Sequence, residues 1–417
     1  VLFRHATPFH EISVPDHQPA EFATLPAAHR DLSDTARQRA RYATMAVFFI
    51  AGMMYASWGV HVPTVRDRFH LNAALLSFAL LAVAGGSIGA MAANASWIAR
   101  VGTRRACLAG GLVMAVCAAL ILVVPAYWML LVVLAIFGAG MATLDVAMNA
   151  EASAVEKALG KPIMSALHGM FSVGGMFGAA VGGALLSRGM APALHLALAA
   201  AVSALVLVSA CPSVLPHVPH AEHPDSATPR ASRWRSPALW ALGAIALVAL
   251  IAEGAMYDWA TVYMRDVVLA TPALASAAYA AFSGGMAAAR FAGDAVRARF
   301  GAPQLVMLSA TLACAGMVDA LLLPNSIAAL IGFALIGLGL ANMMPVLFAA
   351  AANVKGVHAA EGLAHVAGLA YFGLLLGPVI IGAVTQLTNL TIGLSVVAVC
   401  SASIAVAGPK VLRRLKI

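Results

Sequence analysis

Twelve apolar runs dominate this chain, each about long enough to cross a ~30 Å hydrocarbon core as an α-helix. They fall near 43–64, 73–95, 105–124, 127–149, 163–187, 192–211, 237–262, 272–295, 303–323, 326–350, 361–386 and 389–408. A lipid-exposed backbone must pair its own N–H and C=O groups, so runs of this length have to be helical. Composition agrees: 62% of the 417 residues are hydrophobic and 10% charged, against about 25% charged in a soluble domain. The chain is predicted to be an all-α polytopic membrane protein with twelve transmembrane helices.

Polar stretches divide it. Residues 1–42 read as a cytoplasmic N-terminal tail, 43–211 as one six-helix bundle and 212–236 as a cytoplasmic central loop. Residues 237–409 then form a second six-helix bundle, and 410–417 a cytoplasmic C-terminal tail. The first 42 residues hold no apolar core of signal-peptide length. Of the 25 Lys and Arg, all but Arg66, Arg68, Arg188 and Arg265 fall on the side of both termini, with Arg290 counted among them. The positive-inside rule makes that side cytoplasmic. The net charge of +8 is therefore a topology signal, and no nucleic-acid partner is expected. The five cysteines lack paired spacing and read as free thiols. His217, His220 and His223 lie in the Pro-rich central loop and read as solvated filler, so no metal or other cofactor is expected.

The two halves repeat at a single offset of 199 residues. Arg66-Asp67 maps to Arg265-Asp266, Gly85-Gly86 to Gly284-Gly285 and Pro125 to Pro324. Gly138 and Gly140 map to Gly337 and Gly339, and Gly174 and Gly178 to Gly373 and Gly377. One register held across several helices and loops points to two parallel repeats facing each other around a midplane cavity, with alternating access as the mechanism.

Two six-helix repeats joined by a polar loop resemble the major facilitator superfamily. The stretch from Ala95 to Arg105 is similar to that superfamily's G-x-x-x-D-R-x-G-R-R signature. Arg100, Gly102, Arg104 and Arg105 match, whereas Ala95 and Ala99 replace the first Gly and the Asp. The second copy runs from Asp294 to Gly301, with Arg299 and Gly301 matching. The resemblance implies a cytoplasmic gate at these residues, with a latch that is weaker or uses another acid. A narrower resemblance, carried by Gly138-x-Gly140 followed by Asp145 and Asn149, is to the fucose-permease-like branch and its bacterial inner-membrane relatives. It implies a role for Asp145 in proton coupling and sugar binding, and a bacterial-type inner membrane.

Charged groups inside apolar runs are costly and mark pathways or partners. Asp145, Glu253 and Asp258 are the carboxyl candidates for proton coupling, because a carboxyl that alternates between water and a dry interior can take up and release a proton. Asp145 and Asn149 share one helical face. Glu253 and Asp258 are separated by about 140° around their helix, so one is expected to face the cavity while the other meets a neighbour near Arg66 or Arg265. His168 can relay a proton or bond a solute hydroxyl. Asn149, Asn342, Tyr55, Trp58, Tyr257, Trp259, Tyr279 and Tyr371 are candidate cavity contacts, with core packing as the alternative for each aromatic residue. Trp97, Tyr127, Trp128, Trp234 and Trp240 lie at segment ends, where amphipathic rings favour the interface.

The chain is thus read as a monomeric secondary active transporter of a small polar, possibly sugar-like solute, coupled to protons and surrounded by the lipid bilayer. A proton-driven exporter of amphiphilic compounds is the alternative, and a non-transporting membrane sensor is the third. No nucleophile, base and metal constellation argues for an enzyme.

Overall fold

The structure, a computed structural model, describes residues 32–215, 236–323 and 325–415, apart from the side chains of Ala92, Asp294, Ala295, Arg297, Ala298 and Ala360. The expectations for residues 1–31, for Trp234 and the three loop histidines, for Pro324 and for the Asp294 side chain lie outside the described residues. The helices are α1 (Asp34–Arg68), α2 (Ala73–Val101), α3 (Thr103–Leu120), α4 (Tyr127–Leu159), α5 (Met164–Ser187) and α6 (Pro192–Ala210). The second half contains α7 (Pro237–Asp266), α8 (Pro272–Arg299), α9 (Ala302–Leu322), α10 (Ser326–Leu340), α11 (Met343–Ala352), α12 (Ala359–Leu387) and α13 (Leu390–Arg414). Segment ten is the pair α10 and α11.

Helix starts follow local chemistry. Ser33, Asn72 and Asn389 cap α1, α2 and α13 by accepting from Ala36, Leu75 and Ile392 N–H at 3.2, 2.9 and 3.0 Å. Pro192, Pro237 and Pro272 occupy the first turn of their helices, where a missing N–H costs nothing. The Ser33 cap starts α1 at Asp34, so the last residues of the expected tail are helical. The break between α10 and α11 precedes Pro345, which cannot donate to the Ala341 carbonyl one turn back.

Among the described residues, eleven helical stretches are long and apolar enough to cross a membrane. The remaining segment, α8, is rich in alanine, serine and glycine and carries Arg290. It lies against α5, α10 and α7, so most of its surface meets protein.

The repeat is visible in the closest helix contacts. A Cβ on Gly86 would fall on the Ala135 carbonyl, and one on its mate Gly285 on the Ala334 carbonyl. Gly138 meets the Val83 carbonyl and Gly337 that of Phe282, while Gly140 meets Gly110 and Gly339 meets Ser309. Each pair of contacts is related by the same offset of 199. Small residues let helix backbones approach to this distance in both halves.

One end of the molecule is closed by contacts between the halves. α1 and α7 finish there, with Arg66-Asp67 and Arg265-Asp266 in or next to their last turns. Arg66 pairs with Asp266, and Arg265 pairs with Asp67 at 2.6 Å and with Asp266 at 2.7 Å. The repeat-related dipeptides thus exchange partners. Thr261 Oγ1 donates to the Gly59 carbonyl at 3.0 Å, Gly382 abuts Ser77 and Gly183 abuts Ser276. A cavity of about 220 Å³ lies behind the ion pairs, lined by residues including Arg66, Leu76, Trp259 and Asp266. Among the described residues neither Glu253 nor Asp258 pairs with Arg66 or Arg265, contrary to the expectation that one of the two would. Their last-turn neighbours Asp266 and Asp67 take them, and Asp258 lies two turns deeper along α7.

Candidate functional site

α1 and α7 run in the same direction, and the Thr261–Gly59 bond fixes their register. One turn deeper, Tyr257 faces Tyr55. The rings of Tyr55 and Tyr257 are 5.7 Å apart, and Tyr279 of α8 extends the cluster at 5.4 Å from Tyr257. Gly59 makes room for the Tyr279 ring, which a Cβ there would strike. Tyr257 Oη donates to Met286 Sδ at 3.2 Å.

Another turn deeper, Glu253 meets Arg290 of α8, with 3.8 Å between Oε1 and Nη2. The guanidinium also reaches across to α5, donating to Ser172 Oγ at 2.6 Å and to the His168 carbonyl at 3.3 Å. Arg290 therefore has to be removed from the topology count: its side chain is 16% exposed and joins the two halves. The sequence carried a signal for this, since its repeat mate is Met91 and a charge required for topology has no need to stand alone. Glu253 holds Arg290, a contact that Asp258 does not share.

The second crossing is made by Asp145 of α4. Asn149 Nδ2 donates to its Oδ1 at 3.0 Å and to its carbonyl at 2.9 Å, one turn back as their shared face requires. Tyr371 Oη, from α12 in the other half, donates to Oδ2 at 3.3 Å. The carboxyl thus bonds one neighbour on its own helix and one on the opposing repeat.

The remaining candidates separate by place. The His168 ring lies edge-on to Phe48 with centroids 5.3 Å apart, and its carbonyl rather than its ring meets Arg290. Asn342 lies at the α10–α11 break, donates to the Ala289 carbonyl at 3.4 Å and abuts Gly293, both on α8. Its repeat mate Thr143 likewise bonds Asn94 of α2 at 3.0 Å. Trp58 and Trp259 are each 1% exposed, and Trp259 lines the closed-end cavity. Trp128 and Trp240 are exposed at helix starts.

At the opposite end, Gly102 joins α2 to α3 with φ 86°, a conformation that favours glycine. Its mate Gly301 has φ −61° and carries no such requirement. Arg104 donates to the Val214 carbonyl at 2.8 Å, Arg100 bonds the Ser96 carbonyl on its own helix at 3.2 Å, and Arg105 and Arg299 are exposed. Glu151, a residue the sequence reading passed over, is 2% exposed. It accepts from Thr103 Oγ1 and from Leu215 N–H, both at 2.8 Å, and so supplies an acid beside the signature stretch that lacks its Asp.

Carboxyls, a guanidinium and phenols contributed by both halves suit hydrogen bonding to a polar solute between them. The family model of the Major Facilitator Superfamily matches residues 44–380 and, in an overlapping match, 7–155. An uncharacterised MFS-type transporter of Yersinia pestis is 33% identical over 372 residues, covering 89% of this chain and 95% of that protein. The membrane protein MosC of Rhizobium meliloti is 32% identical over 345 residues, covering 82% and 83%. Among solved structures, the nucleoside transporter NupG superposes with a TM-score of 0.69 at 12% identity, covering 88% of this chain and 99% of that one. FucP in its outward conformation gives 0.60 at 15% identity, covering 89% and 98%. This chain belongs to the major facilitator superfamily: it is a multi-pass secondary transporter that binds small-molecule substrates, not an enzyme.

Proposed function

We propose that the protein moves a small polar, sugar-like solute by alternating access, coupled to protons through Asp145. The observation that carries this reading is the contact between Asp145 and Tyr371, a carboxyl of one repeat held by a phenol of the other at 3.3 Å. An ionised carboxylate accepts from both Asn149 and Tyr371, whereas a protonated one is a donor with less to offer Tyr371. Proton occupancy therefore biases the contact between the halves, and a ligand or proton moves such an equilibrium only through a difference of this kind. Glu253 and Arg290 hold a second crossing, and Tyr55, Tyr257 and Tyr279 offer faces and hydroxyls to the solute. Trp58 and Trp259 serve packing.

In this reading the ion-paired end is the outer gate. The end carrying Arg100, Gly102, Arg104, Arg105, Asp294, Arg299 and Gly301 is the cytoplasmic gate, with Glu151 as its latch acid. Both termini face the cytoplasm of a bacterial-type inner membrane, and the monomer is the working unit. The test is solute addition to weakly buffered proteoliposomes with an external pH electrode. External alkalinisation accompanying uptake is expected, and uptake with no pH change overturns the coupling.

A further inference from the structure

Three carboxyls lie within the apolar helices α4 and α7, and the structure treats them differently. Glu253 has Arg290. Asp145 has Asn149 and Tyr371. Asp258 is 7% exposed and has no hydrogen bond or ion pair among the described residues. Arg265 on its own helix is engaged by Asp67 and Asp266, and Arg290 on α8 by Glu253, Ser172 and the His168 carbonyl. Thr261, one turn away, has given its hydroxyl to Gly59, and Tyr257 has given its own to Met286.

A buried carboxylate left ionised and alone costs several kcal/mol, a cost that a proton or a bound cation relieves. The surroundings favour a cation. Tyr257, next to Asp258 in the chain, forms with Tyr55 and Tyr279 a run of ring faces spaced 5.7 and 5.4 Å apart. Aromatic faces attract ammonium groups through their quadrupole, most strongly when water is excluded. Farther along α8, one turn from Tyr279, Ser283 is 1% exposed and its Oγ also lacks a partner. It supplies a hydroxyl contact beside the charge.

Resting on the transporter reading above, we infer that the solute carries a protonated amine on a small polyhydroxylated body, with Asp258 binding the ammonium, the tyrosines flanking it and Ser283 taking a hydroxyl. Asp145 remains the proton site, so the two acids are separable by mutation.

The experiment is thermal stability of the purified full chain with matched probes at equal ionic strength: glucosamine and ethanolamine, their hydroxyl counterparts glucose and ethylene glycol, and the anion glucuronate. An amine is expected to bind about tenfold or more tighter than its hydroxyl counterpart. That preference should vanish in Asp258→Asn and persist in Asp145→Asn, and Asp258→Glu should recover part of it. Folding of each variant is checked by its melting transition without probe. A response to neutral or anionic probes equal to that for amines overturns the cation assignment and leaves the transporter reading intact, as does an amine preference that survives Asp258→Asn. Silence from all three charge classes in a folded protein counts against both.

Discussion

The closed end and the midplane are built on opposite plans. At the closed end, Arg66-Asp67 and Arg265-Asp266 are repeat mates that exchange partners, so one half meets its own copy. At the midplane every charged residue stands opposite an uncharged mate: Asp145 opposite Met344, Glu253 opposite Met54, Asp258 opposite Gly59 and Arg290 opposite Met91. Even where both halves contribute a crossing from one repeat position, Ser172 and Tyr371, the partners differ in sign. Symmetric contacts suit an element that must open and close between two equivalent bundles. Recognition of one asymmetric solute does not need them. The motion belongs to what the repeats share and the chemistry to what they do not.

That division can be broken most severely at the centre. Arg290→Met leaves Glu253, 15% exposed, without its partner, and losing one member of a buried pair costs up to about 3–5 kcal/mol. Adding Glu253→Gln should restore much of this, because the orphaned charge goes with it. Chemical denaturation in detergent checks both, and the single and double variants behaving alike would show that the pair is not coupled.

The scaffold should respond symmetrically. Gly138→Ala and Gly337→Ala each push a methyl into a carbonyl of the neighbouring helix, at a cost of about 1–3 kcal/mol for overpacking. Equal losses of stability are expected in the same assay, and a marked difference would mean that the repeats bear load unequally.

The smallest effect belongs to the ion pairs. Their side chains are 24–66% exposed, so each contributes about 0–1 kcal/mol. Arg66→Ala and Arg265→Ala should open the closed end by similar few-fold factors, read as labelling of a cysteine placed at Leu76. High salt should shrink both effects. Opening by one variant alone would break the symmetry argument.

The spans were legible because an apolar run long enough for a bilayer leaves the backbone no alternative to a helix. Their polar ends were less so. α1 and α4 run past the apolar runs to Ser33 and Gly160, where a side-chain cap and a left-handed glycine end them. The Pro345 break required reading Asn342 as a helix start rather than a cavity contact. Asp145, Glu253 and Asp258 stood out as charges in apolar surroundings. Arg290 did not, because its position near the end of its run matched a topology signal of the same sign. Tyr371, 226 residues from Asp145, could be named as an aromatic candidate, but its bond belongs to the packing of one repeat on the other.

The most direct test compares two modes of transport by Asp145→Asn in proteoliposomes, using a solute that stabilises the protein. Accumulation driven by an imposed pH gradient should be lost, while solute exchange without a gradient should continue within a few-fold of the original rate, because the symmetric scaffold still moves. Undiminished gradient-driven accumulation by this variant would contradict the account.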